Sequence, residues 1–162
     1  MTEFRLESLG RDIGCIIHGP DLRHPTDNEV SGIRTALREH LVVFFLDQQL
    51  SPDSLYGLAK KLGTPTPYPF VDGIDGMPEV VEIIKRPEDT VNFGGVWHSD
   101  TAYLEEPAMG ALLYGVEIPE QGGDTLFANM YAVLESLSPG LRQFLSGLRA
   151  VSYTHLTLPT KA

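Results

Sequence analysis

The spacing of hydrophobic residues near the start of the chain predicts two short strands followed by a helix. Apolar and polar residues alternate over residues 4–9, as in a half-buried strand, and residues 13–18 predict a second strand. Asp27 has the side chain of a helix N-cap. The apolar residues that follow it recur at helical spacing, at Val30, Ile33, Leu37 and Leu41. A helix that buries this face is therefore expected to start at Asp27.

A buried strand and a second helix are predicted next. Residues 41–46 form a short apolar run with β-branched and aromatic side chains, which favours a buried strand. Ser51 can cap a helix whose first position is Pro52, and Gly63 can end it. The apolar face of that helix comprises Leu55, Leu58, Ala59 and Leu62.

Strands dominate the predictions for the second half. Glycine and proline interrupt residues 63–76, which predict a long loop. The elements expected after it are strands at residues 79–85, 109–118 and 124–128, and helices at residues 130–137 and 139–148. Ser138 can cap the last helix, with Pro139 at its first position. Together these elements predict an α+β fold, rich in β-structure, with a β-core under helical cover.

Composition narrows the class of protein. A chain of 162 residues is long enough for one domain with a buried core. Its 22 Asp and Glu against 12 Lys and Arg give a net charge of -10, which argues against a nucleic-acid partner. The longest apolar run, residues 41–46, is too short to cross a bilayer, and no signal peptide is visible. We expect a cytoplasmic protein with no membrane partner, in which Cys15 is a small buried residue.

The last residues form a segment of unusual origin. All ten residues of the segment 151–160, VSYTHLTLPT, match the translation of a transposase-type sequencing adapter. The alternative is a final strand, because Val, Tyr, Thr and Leu are good strand formers. We favour the adapter, which makes residues 151–162 non-native and residues 1–150 the N-terminal portion of a domain, cut off by the end of a read.

The segment Trp97-His98-Ser99-Asp100 carries the candidate catalytic residues and metal ligands. In an extended segment, side chains two residues apart point to the same face, with Cα atoms about 6.6 Å apart. His98 and Asp100 can therefore converge on one ion, while Trp97 is expected to pack into the core. Two histidines and one carboxylate on one octahedral face form the iron site of non-haem oxygenases.

The spacing of this pair is weak support by itself. In a chain with five histidines and 22 acids, roughly 0.7 such pairs arise by chance, and the alternative is a surface histidine beside a solvated aspartate. The Gly- and Pro-rich loop before the pair and the apolar strands predicted after it favour an active-site loop. A second motif, Gly122-Gly123-Asp124-Thr125, permits a tight turn with positive φ, and in isolation it is more often a plain hairpin turn.

The sequence around both motifs resembles the TauD/TfdA family of Fe(II)- and 2-oxoglutarate-dependent dioxygenases. In the second half, the resemblance is carried by WHSDTAYLEEPAMGALL, EIPEQGGDTLFAN, AVLESLSP and RQFLSGLRA, which lie within residues 97–150. In the first half it is carried by IGCIIHGPDL and LVVFFLDQQLSP, which start at residues 13 and 41. The resemblance covers the whole chain except the adapter-like tail.

This resemblance implies a double-stranded β-helix, or jelly roll, truncated here before its core closes. It implies iron held by His98, Asp100 and a distant second His, and 2-oxoglutarate held by Thr125 and a distant Arg. The distant His and Arg fall in the part of the family sequence that this chain lacks, and His155 comes too early to be the second ligand. It also implies O2-dependent hydroxylation of a small molecule, with succinate and CO2 as products.

The resemblance also indicates which residues contact the substrate. In taurine-specific members a His in the loop after Gly63 contacts the sulfonate, and Tyr68 stands at that position here. A second family contact, an Asn, falls on Gly94, with Asn92 nearby. Both departures argue against taurine itself. The resemblance implies a small organic sulfonate, sulfate ester or carboxylate as the substrate, with Tyr68 and Asn92 as substrate-binding candidates.

Two other functions stay open. An incomplete jelly-roll fragment that lacks the distal His and Arg would be inactive, which is our expectation for the 162-residue chain by itself. A cupin-like module would instead bind a different metal. A homo-oligomer is compatible with the full-length protein in either case.

Overall fold

The computed structural model describes residues 4–90 and 93–149. The chain divides into two compact units. The first comprises residues up to Glu82 together with Leu112–Ser136, and the second comprises Ile83–Ala111 together with residues from Leu137 onward. The adapter-like tail, residues 151–162, lies outside the described residues, so its proposed origin stays a prediction.

A three-stranded sheet lies in the first unit. Strand β1 (Arg5–Ser8) pairs antiparallel with β2 (Cys15–His18), and β2 pairs in parallel with β3 (Val43–Phe44). Because β2 is the central strand, its inward side chains are buried, and burial raises the pKa of the Cys15 thiol. The two strands predicted near the N-terminus and the burial of Cys15 are therefore confirmed.

Two helices complete the core of this unit. Helix α1 (Asp27–His40) packs against β2 and β3, and helix α2 (Pro52–Leu62) packs against α1. Helix α2 has the predicted Ser51 cap, the proline at its first position and the end at Gly63. The buried core consists of Cys15, Ile17, Leu22, Val30, Ile33, Ala36, Leu58 and Leu62. Both helical faces predicted from periodicity thus contribute to one core.

The N-cap of α1 is Thr26, so the prediction that Asp27 caps this helix was wrong. The Thr26 hydroxyl accepts a hydrogen bond from the Glu29 N–H at 3.3 Å, and the Glu29 carboxylate accepts from the Thr26 N–H at 2.7 Å. This reciprocal capping box satisfies two backbone N–H groups at the start of the helix. Asp27 lies in the first turn instead, where a negative charge favours the helix dipole.

Replacing Thr26 with Ala should lower the free energy of unfolding by about 1 kcal/mol, because the Glu29 N–H loses its side-chain acceptor. Urea denaturation followed by circular dichroism measures this change. Thr64→Ala is the matched control, since Thr64 is an exposed loop residue outside both helices. Equal stability of the two variants would contradict the capping role of Thr26.

The two helices predicted near the C-terminus are also present. Helix α3 (Met130–Ser136) belongs to the first unit and helix α4 (Pro139–Ser146) to the second. The Ser138 hydroxyl caps α4 by accepting from the Leu141 N–H at 3.3 Å. Of the helices within residues 4–90 and 93–149, none combines the length and apolar character needed to cross a membrane.

Three of the predicted strands do not form. Residues 79–85, 109–118 and 124–128 are described, and none of them belongs to a strand. Their apolar side chains are largely solvent-exposed, with Leu113 at 74% and Val116 at 87%. A strand requires hydrogen bonds to a neighbouring strand, and the part of the chain that the structure describes offers these segments no such partner. The expected β-rich core is therefore not seen among the described residues.

The buried strand predicted at residues 41–46 is reduced to the two residues of β3. Leu41 ends α1 instead of starting a strand: its φ is +65°, and its N–H donates to the Leu37 carbonyl at 2.9 Å. Phe44 and Leu46 are exposed, so the run alternates in burial. This strand lies at an edge of the sheet, where only one side has a pairing partner.

Candidate metal centre

The two predicted metal ligands lie together in the second unit. His98 Nε2 is 3.1 Å from Asp100 Oδ1, although the segment that carries them is irregular and not a strand. The side chains of His98 and Asp100 are 50% and 61% exposed. The two side chains therefore lie close together, whereas their role as metal ligands stays a prediction. The prediction that Trp97 packs into the core was wrong: it is 71% exposed, because residues 93–100 all lie at the surface of this unit.

The separation of the two atoms suits neighbouring ligands of one metal ion. Nitrogen and oxygen ligands bind divalent first-row metals at about 2.0–2.2 Å. Adjacent ligands at the right angles of an octahedron then lie about 3 Å apart. His98 Nε2 and Asp100 Oδ1, at 3.1 Å, could share an ion with little movement of either side chain.

The other ring nitrogen of His98 already has a partner. Nδ1 lies 2.7 Å from the carbonyl oxygen of Val96, which can accept a hydrogen bond from Nδ1–H. A neutral imidazole with its proton on Nδ1 has its lone pair on Nε2, the nitrogen that faces Asp100. Metal-binding histidines almost always donate from their second nitrogen in this way. The local backbone thus favours the tautomer that binds metal through Nε2.

The same geometry also suits a protonated ring. An imidazolium would donate from Nδ1 to Val96 and from Nε2 to Asp100, forming an exposed ion pair of small energetic value. Among residues 4–90 and 93–149, no third His, Cys, Asp or Glu joins the pair to make a metal-binding group. The described residues therefore offer two ligands, and a complete octahedral site needs more.

The glycine turn before Thr125 has the predicted backbone. Gly122 and Gly123 have φ values of +82° and +74°, in the left-handed region that favours glycine. Thr125 follows this turn as an exposed residue of the first unit. The turn prediction is confirmed, whereas the role of the Thr125 hydroxyl stays a prediction.

Two contacts anchor the residues that follow Thr125. The ring of Phe127 meets that of Phe44 edge to face, with centroids 6.3 Å apart. The Asn129 amide donates to the carbonyl of Asp12 at 2.6 Å, and its oxygen caps α3 by accepting from two backbone N–H groups. The sequence did not predict this hydrogen bond between Asn129 and Asp12, which lie far apart in the chain. The available signal was an Asn directly before a helix, which marks a cap but does not reveal the second contact.

Only one of the two predicted substrate-binding residues can be placed. Tyr68 belongs to the first unit and meets Phe70 edge to face, with ring centroids 5.7 Å apart. Asn92 lies outside the described residues. Substrate contact by either side chain stays a prediction.

Comparison with protein-family models matches residues 5–159 to the taurine catabolism dioxygenase TauD, TfdA family. The chain is 34% identical over 151 residues to an alkylsulfatase of Acinetobacter baylyi, covering 92% of this chain and 47% of the relative. It is 33% identical over 144 residues to an α-ketoglutarate-dependent sulfate ester dioxygenase of Pseudomonas putida, covering 88% of this chain and 46% of the relative.

A solved structure extends this similarity to the backbone. The crystal structure of a taurine dioxygenase from Burkholderia xenovorans has a TM-score of 0.75 and 34% identity, covering 89% of this chain and 51% of that one. The chain thus spans about half the length of these relatives. Its backbone is similar to that of this dioxygenase over most of the chain. The family resemblance seen in the sequence is confirmed, and the chain belongs to the TauD, TfdA family of dioxygenases.

Proposed function

We propose that the full-length protein is an Fe(II)- and 2-oxoglutarate-dependent dioxygenase that hydroxylates a small organic molecule. The observation that carries this proposal is the 3.1 Å approach of His98 Nε2 to Asp100 Oδ1, with the ring held through Nδ1 by the Val96 carbonyl. Membership of the TauD, TfdA family and the dioxygenase relative from Pseudomonas putida support it.

Each candidate residue has a distinct role in this proposal. His98 and Asp100 hold the iron, and their mixed nitrogen and oxygen donors suit a divalent iron site. The Thr125 hydroxyl donates a hydrogen bond to a carboxylate of 2-oxoglutarate. A second His and an Arg come from the part of the protein outside this chain, because a neutral hydroxyl alone cannot hold a dianion. Bound iron and 2-oxoglutarate together supply the activation of O2, with succinate and CO2 as products.

The rest of the full-length protein also completes the fold in this proposal. Residues 109–118 carry exposed apolar side chains, among them Leu113 and Val116, and have no strand partner among the described residues. Exposed apolar segments of this kind are expected to pair and become buried. We therefore assign the closed double-stranded β-helix to the full-length protein, of which this chain is a truncated portion.

The 162-residue chain alone is then expected to be inactive. Two ligands bind a divalent ion weakly, and the described residues add no third. The alternative of a cupin-like module has less support, because the family match and the relatives favour a dioxygenase. Metal binding with no dependence on 2-oxoglutarate in the full-length protein would favour the cupin-like module.

We infer that the substrate carries a sulfate ester or a sulfonate. One relative is named as a sulfate ester dioxygenase, another as an alkylsulfatase, and one structure as a taurine dioxygenase. Tyr68 and Asn92 are our candidates for substrate contact. A panel of alkyl sulfate esters, alkylsulfonates and aryloxy carboxylates, scored by succinate release, decides among the classes. Turnover of carboxylates alone would overturn the inference.

Anaerobic addition of Fe(II) and 2-oxoglutarate to the full-length protein tests the proposed cofactors directly. We expect a visible charge-transfer absorption band that requires both components. The 162-residue chain should give no band under the same conditions, because its site is incomplete. A band missing from the full-length protein, or a band that persists in the His98→Ala variant, would reject the assignment.

Replacing Thr125 with Val should weaken binding of 2-oxoglutarate about tenfold. Valine keeps the shape of threonine but removes a hydroxyl whose hydrogen bond to a charged group is worth about 1.4 kcal/mol or more. Binding is measured by anaerobic titration of the Fe(II)-loaded full-length protein. Thr64→Val, at an exposed position in the loop after α2, serves as the control and should bind as the wild type does. Equal affinities in both variants would remove Thr125 from the site.

A further inference from the structure

The residues on the C-terminal side of Thr125 contact the sheet of the first unit at two points. The Phe127 ring meets the Phe44 ring of β3 edge to face, with centroids 6.3 Å apart. Two residues later, Asn129 Nδ2 donates to the carbonyl oxygen of Asp12 at 2.6 Å, in the connection between β1 and β2. Both contacts join residues far apart in the sequence, so they fix where this segment lies against the sheet.

The surface that receives these two contacts is itself held in place. The Gly14 N–H donates to the His40 carbonyl at 2.9 Å, and the Leu9 N–H donates to the Gly14 carbonyl at 3.0 Å. Gly14 also lies beside Phe44, because a Cβ built on Gly14 would be 3.9 Å from Cε2 of that ring. The β1–β2 connection and the Phe44 ring are therefore neighbouring parts of one surface, bonded to the end of α1.

The chain on the N-terminal side of Thr125 is permissive by comparison. Gly122 and Gly123 both have positive φ, and glycine adopts such angles without steric cost. These two residues set the direction of the chain but have no side chains with which to hold it. The Phe127 Cα can lie at most about 7 Å from that of Thr125, because two extended residues span no more. An anchored ring at position 127 therefore limits how far Thr125 can move.

We propose that Phe127 and Asn129 are positioning residues for Thr125: by holding the segment against Phe44 and Asp12, they fix the place of the Thr125 hydroxyl. The inference deepens the proposed function, because it rests on Thr125 as the residue that donates to 2-oxoglutarate. All the contacts that carry it lie within the first unit. Phe127 and Asn129 act through Thr125 and are not assigned a contact with 2-oxoglutarate.

Replacing Asn129 with Asp separates its two roles. The Asn129 oxygen caps α3 by accepting from the N–H groups of Tyr131 and Ala132 at 3.0 and 3.1 Å. Aspartate caps a helix as well as asparagine does, but its carboxylate has no N–H to donate to Asp12. Asn129→Ala loses both contacts, so it should unfold at a lower temperature than Asn129→Asp. Loss of 2-oxoglutarate binding in Asn129→Ala but not in Asn129→Asp would assign the effect to the cap and overturn the inference.

Anaerobic titration of the Fe(II)-loaded full-length protein with 2-oxoglutarate measures the consequence for binding. Asn129→Asp and Phe127→Leu should each weaken binding about three- to tenfold, the upper value being that expected for loss of the Thr125 hydroxyl itself. Asn28→Asp makes the same change at an exposed residue of α1, and Phe144→Leu does so at an exposed residue of α4. Both controls should bind as the wild type does. Wild-type affinity in Asn129→Asp or in Phe127→Leu, or an equal loss in its control, would overturn the inference.

Combination with Thr125→Val shows whether Asn129 acts through the hydroxyl. Once the hydroxyl is gone, adding Asn129→Asp should cause no further loss of affinity, because residues that share one interaction are not additive. In the single variant Asn129→Asp, the KM for 2-oxoglutarate should rise while kcat at saturating 2-oxoglutarate stays unchanged. Additive losses, or a fall in kcat with no change in KM, would contradict a positioning role.

The motion of the Thr125 methyl group provides a measurement that needs no cofactor. In the full-length protein before any addition, ¹³C relaxation should give a lower order parameter for this methyl in Asn129→Asp and Phe127→Leu than in the wild type or the controls. An unchanged order parameter would overturn the inference. If instead Thr125→Val binds 2-oxoglutarate as the wild type does, the proposed role of Thr125 is rejected, and the order parameter still decides whether Phe127 and Asn129 hold Thr125 in place.

Discussion

Replacing either His98 or Asp100 with Ala should reduce turnover by the full-length protein at least about a hundredfold. Removal of groups that merely orient metal ligands costs about 10- to 100-fold in affinity or activity, so loss of a ligand itself should cost more. The two atoms lie 3.1 Å apart, and each variant leaves the other ligand without its neighbour. Succinate release per bound iron measures the effect, and iron content after dialysis shows whether binding fails.

Matched variants separate this loss from general damage. His24→Ala and Asp75→Ala remove the same kinds of side chain from exposed positions of the first unit, and both should retain wild-type turnover. Asp100→Asn keeps the shape of the side chain but removes its charge, and it should behave as Asp100→Ala does. A His98→Ala protein that keeps its iron and its turnover would show that the 3.1 Å contact is only a surface ion pair.

Replacing Ile33 with Ala should lower the free energy of unfolding of the 162-residue chain by about 3 kcal/mol. Ile33 is 2% exposed and lies on the face of α1 that packs into the core. Truncation of a buried isoleucine loses transfer free energy and leaves a cavity, and such changes cost about 2–5 kcal/mol. Urea denaturation followed by circular dichroism gives the value from the shift in midpoint.

Glu39→Ala is the control for this measurement. Glu39 lies on the same helix, is exposed, and should change the free energy of unfolding by no more than about 0.5 kcal/mol. The difference in stability between Ile33→Ala and Glu39→Ala tests the core of the first unit, because the eight buried hydrophobic residues among the described ones all come from residues 15–62. If Ile33→Ala were as stable as Glu39→Ala, the first unit would not form the core described above.

The helices could be predicted because their signals are local. Ser51, Pro52 and Gly63 define both ends of α2, and each acts within one turn of its own position. The error at α1 was equally local: Thr26 and Asp27 are both capable caps, and only the hydrogen bonds to Glu29 decide between them. Periodicity of 3.6 residues then predicted the buried faces of both helices.

The strands of the second half could not be predicted with the same success. Residues 109–118 have strand-forming side chains, yet a strand exists only when a distant segment supplies the opposite hydrogen bonds. Among the described residues no such segment pairs with them, although the backbone is similar to that of a taurine dioxygenase over most of the chain. The preference of a segment for strand conformation depends on its own residues, whereas the pairing of that strand depends on contacts with residues far away in the chain.

For this protein, the sequence by itself determined the family and the helices α1 and α2. It also singled out His98, Asp100 and Thr125 as candidate site residues. Both results were within reach because motifs and helical periodicity are properties of neighbouring residues. Only the tertiary structure decided that His98 and Asp100 meet at 3.1 Å on an irregular segment. It also decided that Trp97 lies at the surface. Those results depend on φ angles and side-chain directions in a loop, which no periodic pattern specifies.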